Sequence, residues 1–395
     1  MKHNFRIIIG MLLLAIPLCM NAQVKPIKPA EEPKKVKVEK VEQEKLEKEM
    51  ADKESREKKE HKGGFEMPKI SGFVQGMYQA NLDEEGTLID NTLRMRRVRL
   101  SVDGTLFKGL TYKIQGDFSR SPMLVDAYVK YKVCDAFAIQ LGQFKTPFSI
   151  ESPINPVNLE IFDYGEGIQK LVGYSDVCGV GGLGRDIGLM ATGSLFPIKG
   201  DEGIKYHVVE YALGVFNGNG PTTTDNNNRK DLVGRLEVHP GLKALTLSGS
   251  YYYGKYTKDD NDNCTRNRWA AGAQYNDGNL VIRGEYISGT TGFMADVVGE
   301  DGLVSDIIEL PTKSEGYYAV AGYNFRLGKE RKQTLMPVLR YEHFDKNGLS
   351  GTDWYTVGIN YWPLKSLNFK FDYSLIMTGS DIDGHRVVGI LSYKF

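Results

Sequence analysis

The side chains with the most chemical reach in this sequence are arginines. The segment Leu93 to Gly104, LRMRRVRLSVDG, places Arg94, Arg96, Arg97 and Arg99 within six positions. Guanidinium groups this close recognise anions, and the reflex partner is nucleic acid, because basic clusters neutralise phosphates. The whole chain gives that partner no support, since 50 lysines and arginines balance 50 aspartates and glutamates. The expectation is a local anion contact and no nucleic acid. Enzyme chemistry is not expected either: the six histidines are scattered and no nucleophile elbow is present. Of the four cysteines Cys19 falls in the leading segment that reads as a signal peptide, and the remaining Cys134, Cys178 and Cys264 form an odd set without regular spacing, which argues against a disulfide framework and a zinc site. They read as isolated thiols in a wall or loop. No cofactor and no metal are expected.

The element that must present the arginines is a β-strand. Val98, Leu100 and Val102 alternate with Arg97, Arg99 and Ser101, and Tyr112, Ile114, Gly116 and Phe118 alternate with Lys113, Gln115, Asp117 and Ser119. Tyr355 to Tyr361 and Phe369 to Leu375 repeat the pattern, each strand having one apolar or aromatic face and one polar face. Strands are expected near 70–82, 92–104, 109–119, 123–133, 136–144, 184–196, 205–217, 230–240, 243–255, 266–275, 280–289, 314–327, 332–344, 353–363, 365–378 and 384–395. The count is about sixteen, an even number typical of an outer-membrane barrel.

Connections separate a barrel from a soluble sandwich. Phe107-Lys108, Cys134-Asp135, Asn276 to Asn279, Gly328 to Arg331 and Pro363-Leu364 are tight turns, with Asp277-Gly278 the strongest hairpin signal. Longer polar segments alternate with them: 83–91, 145–183, 218–229, 256–264 and 290–313. Short periplasmic turns alternating with long external loops mark a transmembrane antiparallel barrel. Arg120-Ser121-Pro122 is short for its side. The end, GILSYKF, is an alternating strand closed by Phe395, as in many outer-membrane barrels.

The chain starts with Lys2 and Arg6, an apolar stretch from Ile7 to Leu18, and Asn21-Ala22-Gln23, which reads as a secretory signal peptide over 1–22. The stretch, about 12 residues, is too short for a membrane-spanning helix. A lipoprotein site at Cys19 lacks the small residues that normally precede one. Residues 23–64, rich in lysine and glutamate from Lys25 to about Lys62, read as a charged periplasmic segment able to form a solvated helix through i,i+4 pairs. A short trimeric coiled coil is the alternative to a bland spacer. The barrel is expected over 65–395, with a long loop at 145–183.

Four stretches, LRMRRVRLSVDGTLFKGLTYKIQGDF, VDAYVKYK, AIQLGQFKTPFSIE and GRDIGLMATG, resemble the phosphate-selective porin O and P family. The resemblance runs from about Ser71 to Phe395. It implies a sixteen-stranded homotrimeric porin in the Gram-negative outer membrane, in contact with lipid, whose basic residues lead small anionic solutes through the pore.

Within such a barrel, Arg97 and Arg99 share the lumen face with Ser101 and Asp103, because a cation facing hydrocarbon at mid-depth costs about 2–4 kcal/mol. Arg94 and Arg96 fall in the other phase at the external rim, where they snorkel or fold over the pore mouth. Lys113 on the next strand joins the lumen set. Arg235, Arg283 and Arg340 each precede a glutamate by two positions, and those pairs read as wall structure. The loop over 145–183 carries Glu151, Glu160, Glu166, Asp163 and Asp176 against Lys145 and Lys170, a net acidic constriction that departs from a phosphate filter. Lys145 at its base is the best anion contact there. Arg185 and Asp186 point to opposite faces, so Arg185 reads equally as ion contact or loop anchor. The pore-lining candidates are thus Arg96, Arg97, Arg99, Lys113, Lys145 and Arg185. The expected function is an anion-preferring diffusion channel, phosphate or polyphosphate among its solutes. The alternative is a structural or adhesion barrel whose N-terminal segment contacts peptidoglycan.

Overall fold

A computed structural model describes residues 67–201, 203–258, 261–298, 304–328, 330 and 332–395. The signal peptide and charged segment expected over 1–64 lie outside the described residues. The strands are β1 (Lys69–Leu82), β2 (Leu88–Phe107), β3 (Leu110–Asp117), β4 (Leu124–Cys134), β5 (Phe137–Lys145), β6 (Arg185–Gly200), β7 (Gly203–Phe216) and β8 (Asp231–Val238). They continue as β9 (Leu245–Lys258), β10 (Asn261–Asn276), β11 (Leu280–Val298), β12 (Val304–Tyr323, resuming after Asn324 as Phe325–Leu327), β13 (Gln333–Asp345), β14 (Thr352–Leu364), β15 (Leu367–Thr378) and β16 (Asp381–Lys394). Each pairs antiparallel with its chain neighbours, and β1 pairs with β16 from Phe73↔Lys394 to Leu82↔His385. The result is a closed barrel with no free edge.

Its faces are reversed relative to a soluble protein. Gln75, Ser101, Gln115, Gln140, Asn360 and Ser374 are buried inside, whereas Leu100, Ile114, Leu141, Leu339, Phe371 and Leu391 are exposed outside. A sheet with an apolar exterior and every backbone group paired is what hydrocarbon requires. The expected all-β transmembrane barrel is the observed fold, with sixteen staves corresponding one to one to the expected strands.

Two expected loops are strands instead. β9 and β10 pair out to Asn261↔Lys258, and β11 and β12 out to Val298↔Val304, so 256–258 with 261–264, and 290–298 with 304–313, continue as paired strands. The period-two contrast fades there while backbone pairing persists.

At the seam, Phe395 exchanges two 3.0 Å backbone hydrogen bonds with Gly72. A Cβ on Gly72 would lie 2.4 Å from the carbonyl oxygen of Arg99 and 2.7 Å from the Phe395 ring. Gly72→Ala should therefore cost about 1–3 kcal/mol, as overpacking does. The measurement is the temperature at which the folded, fast-migrating band converts on a gel, and it should fall.

Candidate pore and constriction

The segment from 146 to 184, between β5 and β6, turns inward and crosses the lumen. It contains a 3-10 turn (Pro156–Asn158) and one short helix, α1 (Glu166–Val172). Its apolar residues Phe148, Leu159, Ile168 and Leu171 join Ile287, Tyr318, Val338 and Phe344 of the wall in one buried cluster. Gly165 and Gly167 permit this close seating: a Cβ on Gly165 would stand 2.1 Å from Nη2 of Arg340, and one on Gly167 3.3 Å from Ile287.

Ion pairs fix the loop to the same side of the barrel. Glu151, wholly buried, accepts from Arg340 Nη1 at 2.5 Å and from Arg283 Nη2 at 3.3 Å. Glu160 accepts from Arg283 at 2.5 Å, and Asp176 from Arg266 at 3.0 Å and from Arg268 Nη2 at 2.6 Å. Asp163 takes Arg97 at 3.0 Å together with Arg96. Lys370 donates to the carbonyls of Leu159 and Ile161 at 2.6 and 2.7 Å. Glu166 pairs with Lys170 within α1. The acidic loop is therefore no acidic filter. Arginines of β2, β10, β11 and β13 take up its carboxylates, which overturns the expectation drawn from its composition.

Burial alone would raise these carboxyl pKa values, but neighbouring guanidiniums outweigh it. Arg340 and Arg283 hold Glu151 below the usual range, Arg96 and Arg97 hold Asp163 down, and Arg268 and Arg266 hold Asp176 down. Carboxylates with depressed folded-state pKa values contribute stability above the unfolded range, which is lost as pH falls through the folded values. These three anchors should thus stay ionised down to about pH 5 and let go only below about pH 4. Bilayer conductance recorded from about pH 5 downward should step only below about pH 4, and a conductance unchanged down to about pH 2 would contradict it.

The arginine cluster sits differently from expectation. β1 and β2 slip between Gln75↔Arg97 and Gly76↔Met95, so Arg96 is the extra residue of a β-bulge. The bulge turns Arg96 inward, where it pairs with Asp163 and donates to Met77 Sδ at 2.7 Å. Arg94 stands opposite buried Met77 and remains exposed, also on the inner phase. Arg97 and Arg99 do face inward, but not with Asp103 alone nearby. Arg97 is shared between Asp163 and Gln75, and Arg99 donates to Asp117 at 3.0 Å across the register pair Arg99↔Asp117. Three members of the cluster therefore hold structure together.

Opposite the docked loop the lumen stays open. A cavity of about 370 Å³ lies between the wall from β2 to β8 and the loop residues Pro147, Pro153, Asn155 and Pro156. Five cationic side chains, Arg99, Lys113, Lys145, Arg185 and Arg235, and one carboxylate, Asp126, line it. Asp126 is held by Arg185 at 2.7 Å, which also donates to the Leu183 carbonyl at 2.9 Å; Arg185 both anchors the loop end and lines the passage. Lys145 donates to the carbonyl of Ile154 at 3.0 Å, to that of Ser152, and to the Tyr164 hydroxyl at 2.9 Å. Among the described residues neither Lys113 nor Lys145 has a carboxylate within ion-pair distance. A second cavity, about 340 Å³, shares Thr192, Ala212 and Arg235 with the first and continues towards the short turn at Cys134 and Asp135.

Of the residues brought together here, sequence reasoning missed Asp126 and Asp117 as partners and set Arg235 aside as wall structure. Arg235 does pair with Glu237 at 3.3 Å, as Arg340 pairs with Glu342 at 3.1 Å. Arg283 breaks that pattern: its partners are loop carboxylates, while Glu285 accepts from Ser149 and the Ile150 amide. Asp186 accepts the amides of Ile187 and Gly218 and supports the loop over 217–230. Cys178 and Cys264 are free thiols, as expected, and pack in one buried cluster with Tyr256.

A closed sixteen-stave barrel, apolar outside, polar inside and narrowed by its third long loop, is a porin. The chain matches the phosphate-selective porin O and P family over residues 69–386 and belongs to it. Among solved structures it is similar to an anion-selective porin from Comamonas acidovorans, at 15% identity with a TM-score of 0.58, covering 83% of this chain and 99% of that one. Salmonella typhi OmpF gives 15% identity and a TM-score of 0.57, with 83% and 97% covered. The outer membrane channel DcaP of Acinetobacter baumannii gives 14% and 0.53, with 85% and 98% covered. Comparison with curated proteins found no match. Family and fold are those of a channel.

Proposed function

We propose that this porin sits in the Gram-negative outer membrane as a homotrimer and lets small solutes diffuse with a preference for anions. The observation that carries the preference is the charge of the open passage. Of its five cationic side chains, Arg99, Arg185 and Arg235 are paired with Asp117, Asp126 and Glu237, whereas Lys113 and Lys145 form no ion pair among the described residues. The loop's own carboxylates are taken up by arginines on the other side. Cations beside a narrow aqueous path with low-dielectric walls raise the local concentration of anions. The family name and the Comamonas neighbour support the same sign, and phosphate and polyphosphate are solutes of that class. Residues 1–22 act as the signal peptide and 23–64 as a periplasmic segment whose composition cannot bury a core.

Ion substitution tests the reading. With the purified full chain in a planar bilayer, replacing potassium by a bulky organic cation should leave most of the current, and replacing chloride by a bulky polymeric anion should remove most of it. The opposite pattern would refute the proposal.

A further inference from the structure

The narrow cavity is amphipathic. All five of its cations come from the barrel wall, whereas the loop side presents Pro147, Pro153 and Pro156, residues with no N–H to offer an anion. On that side the Thr146 hydroxyl is directed at the Gly184 carbonyl, and the Asn155 carbonyl group already accepts the Val157 amide. Phe144 and Met190 extend the apolar lining from the wall. Apart from the Asn155 side-chain NH2, the loop lining offers a small oxyanion little to replace the water it sheds, so most of its hydrogen bonds come from the wall. An anion with a hydrocarbon body recovers on both sides, its charge against the cations and its body against the prolines.

Resting on the anion-preferring reading, we infer that the solute class this passage favours is an organic carboxylate with an apolar aliphatic or aromatic body, over inorganic phosphate. Such a molecule passes with its carboxylate towards Lys113 and Arg235 and its hydrocarbon face along Pro153 and Pro156. Burying methylene groups against the loop should tighten its transient binding by about twofold for each methylene partly removed from water. Inorganic phosphate has no corresponding gain.

The test is block of the chloride current through the full chain by acetate, butanoate, benzoate and dihydrogen phosphate, at equal ionic strength and a mildly acidic pH. The half-blocking concentration should fall from acetate to butanoate to benzoate, with phosphate weaker than benzoate. Pro153 is exposed at the cavity, so Pro153→Ser should fold normally while adding a hydroxyl donor; it should weaken benzoate relative to phosphate. Phosphate blocking at the lowest concentration, a carboxylate series flat in hydrocarbon size, or an unchanged benzoate-to-phosphate ratio in Pro153→Ser would each overturn the inference. A channel that prefers cations would instead overturn the reading on which it rests.

Discussion

Glu151→Ala should release the constriction. Glu151 is wholly buried between Arg283 and Arg340 and also accepts the Gly165 amide, immediately before α1. Removing one partner of a buried ionic cluster typically costs about 3–5 kcal/mol, since it leaves charge uncompensated. Here the lower end applies, because Arg283 keeps Glu160 and Arg340 keeps Glu342. The barrel hydrogen bonds are untouched, so the protein should still insert. Single-channel recordings should show larger and noisier conductance, and the heat-modification temperature should drop. Glu151→Gln tests the charge itself: it keeps the shape and one acceptor, and should give an intermediate phenotype. Conductance and thermal behaviour identical to wild type in Glu151→Ala would mean that the loop is held by its apolar contacts alone.

The second large effect is expected at Lys113. It lines the open cavity and, although Asp103 stands opposite it in the register, forms no ion pair among the described residues, so its charge remains available to passing ions. A unit charge at about 4 Å is worth about 1 kcal/mol in water. Lys113→Glu changes the local charge by two, and about 1.4 kcal/mol is tenfold in an equilibrium. The local anion population should fall about thirtyfold at low salt, and the anion-to-cation permeability ratio by at least as much. At high salt the loss should shrink as screening shortens the reach of each charge. Lys113→Gln should give about half the free-energy change. By contrast, replacing Arg97 and Arg99 with glutamine should disturb the loop and the β2–β3 wall more than selectivity, since Asp163 and Asp117 already neutralise them. A Lys113→Glu channel with unchanged reversal potential would place selectivity elsewhere in the passage.

The barrel was legible because alternation is a local property: each strand announces its own two faces. Even the polar face of β3, with Lys113, Gln115 and Asp117, could be read from sequence. Register could not, and register decides that Arg99 meets Asp117 while Asp103 stands opposite Lys113. The bulge at Arg96 left one signal, Gly76, a glycine inside a strand, which marks such irregularities. The constriction was misread for a different reason. Its net charge could be counted, but a charge acts only through its surroundings, and Glu151, Glu160 and Asp176 find their arginines 90 to 189 residues further along the chain. The Arg-x-Glu repeats hinted at pairs within strands. Arg283 shows how a loop from elsewhere can take one partner over.

The central claim is that the docked loop leaves a cationic passage along β2 to β8. Zero-current potential of the wild-type full chain across a potassium chloride gradient, at neutral pH and low salt, addresses it most directly. The account predicts a potential of the sign set by chloride, collapsing towards zero as both solutions are made concentrated. A potential of the sign set by potassium would contradict it.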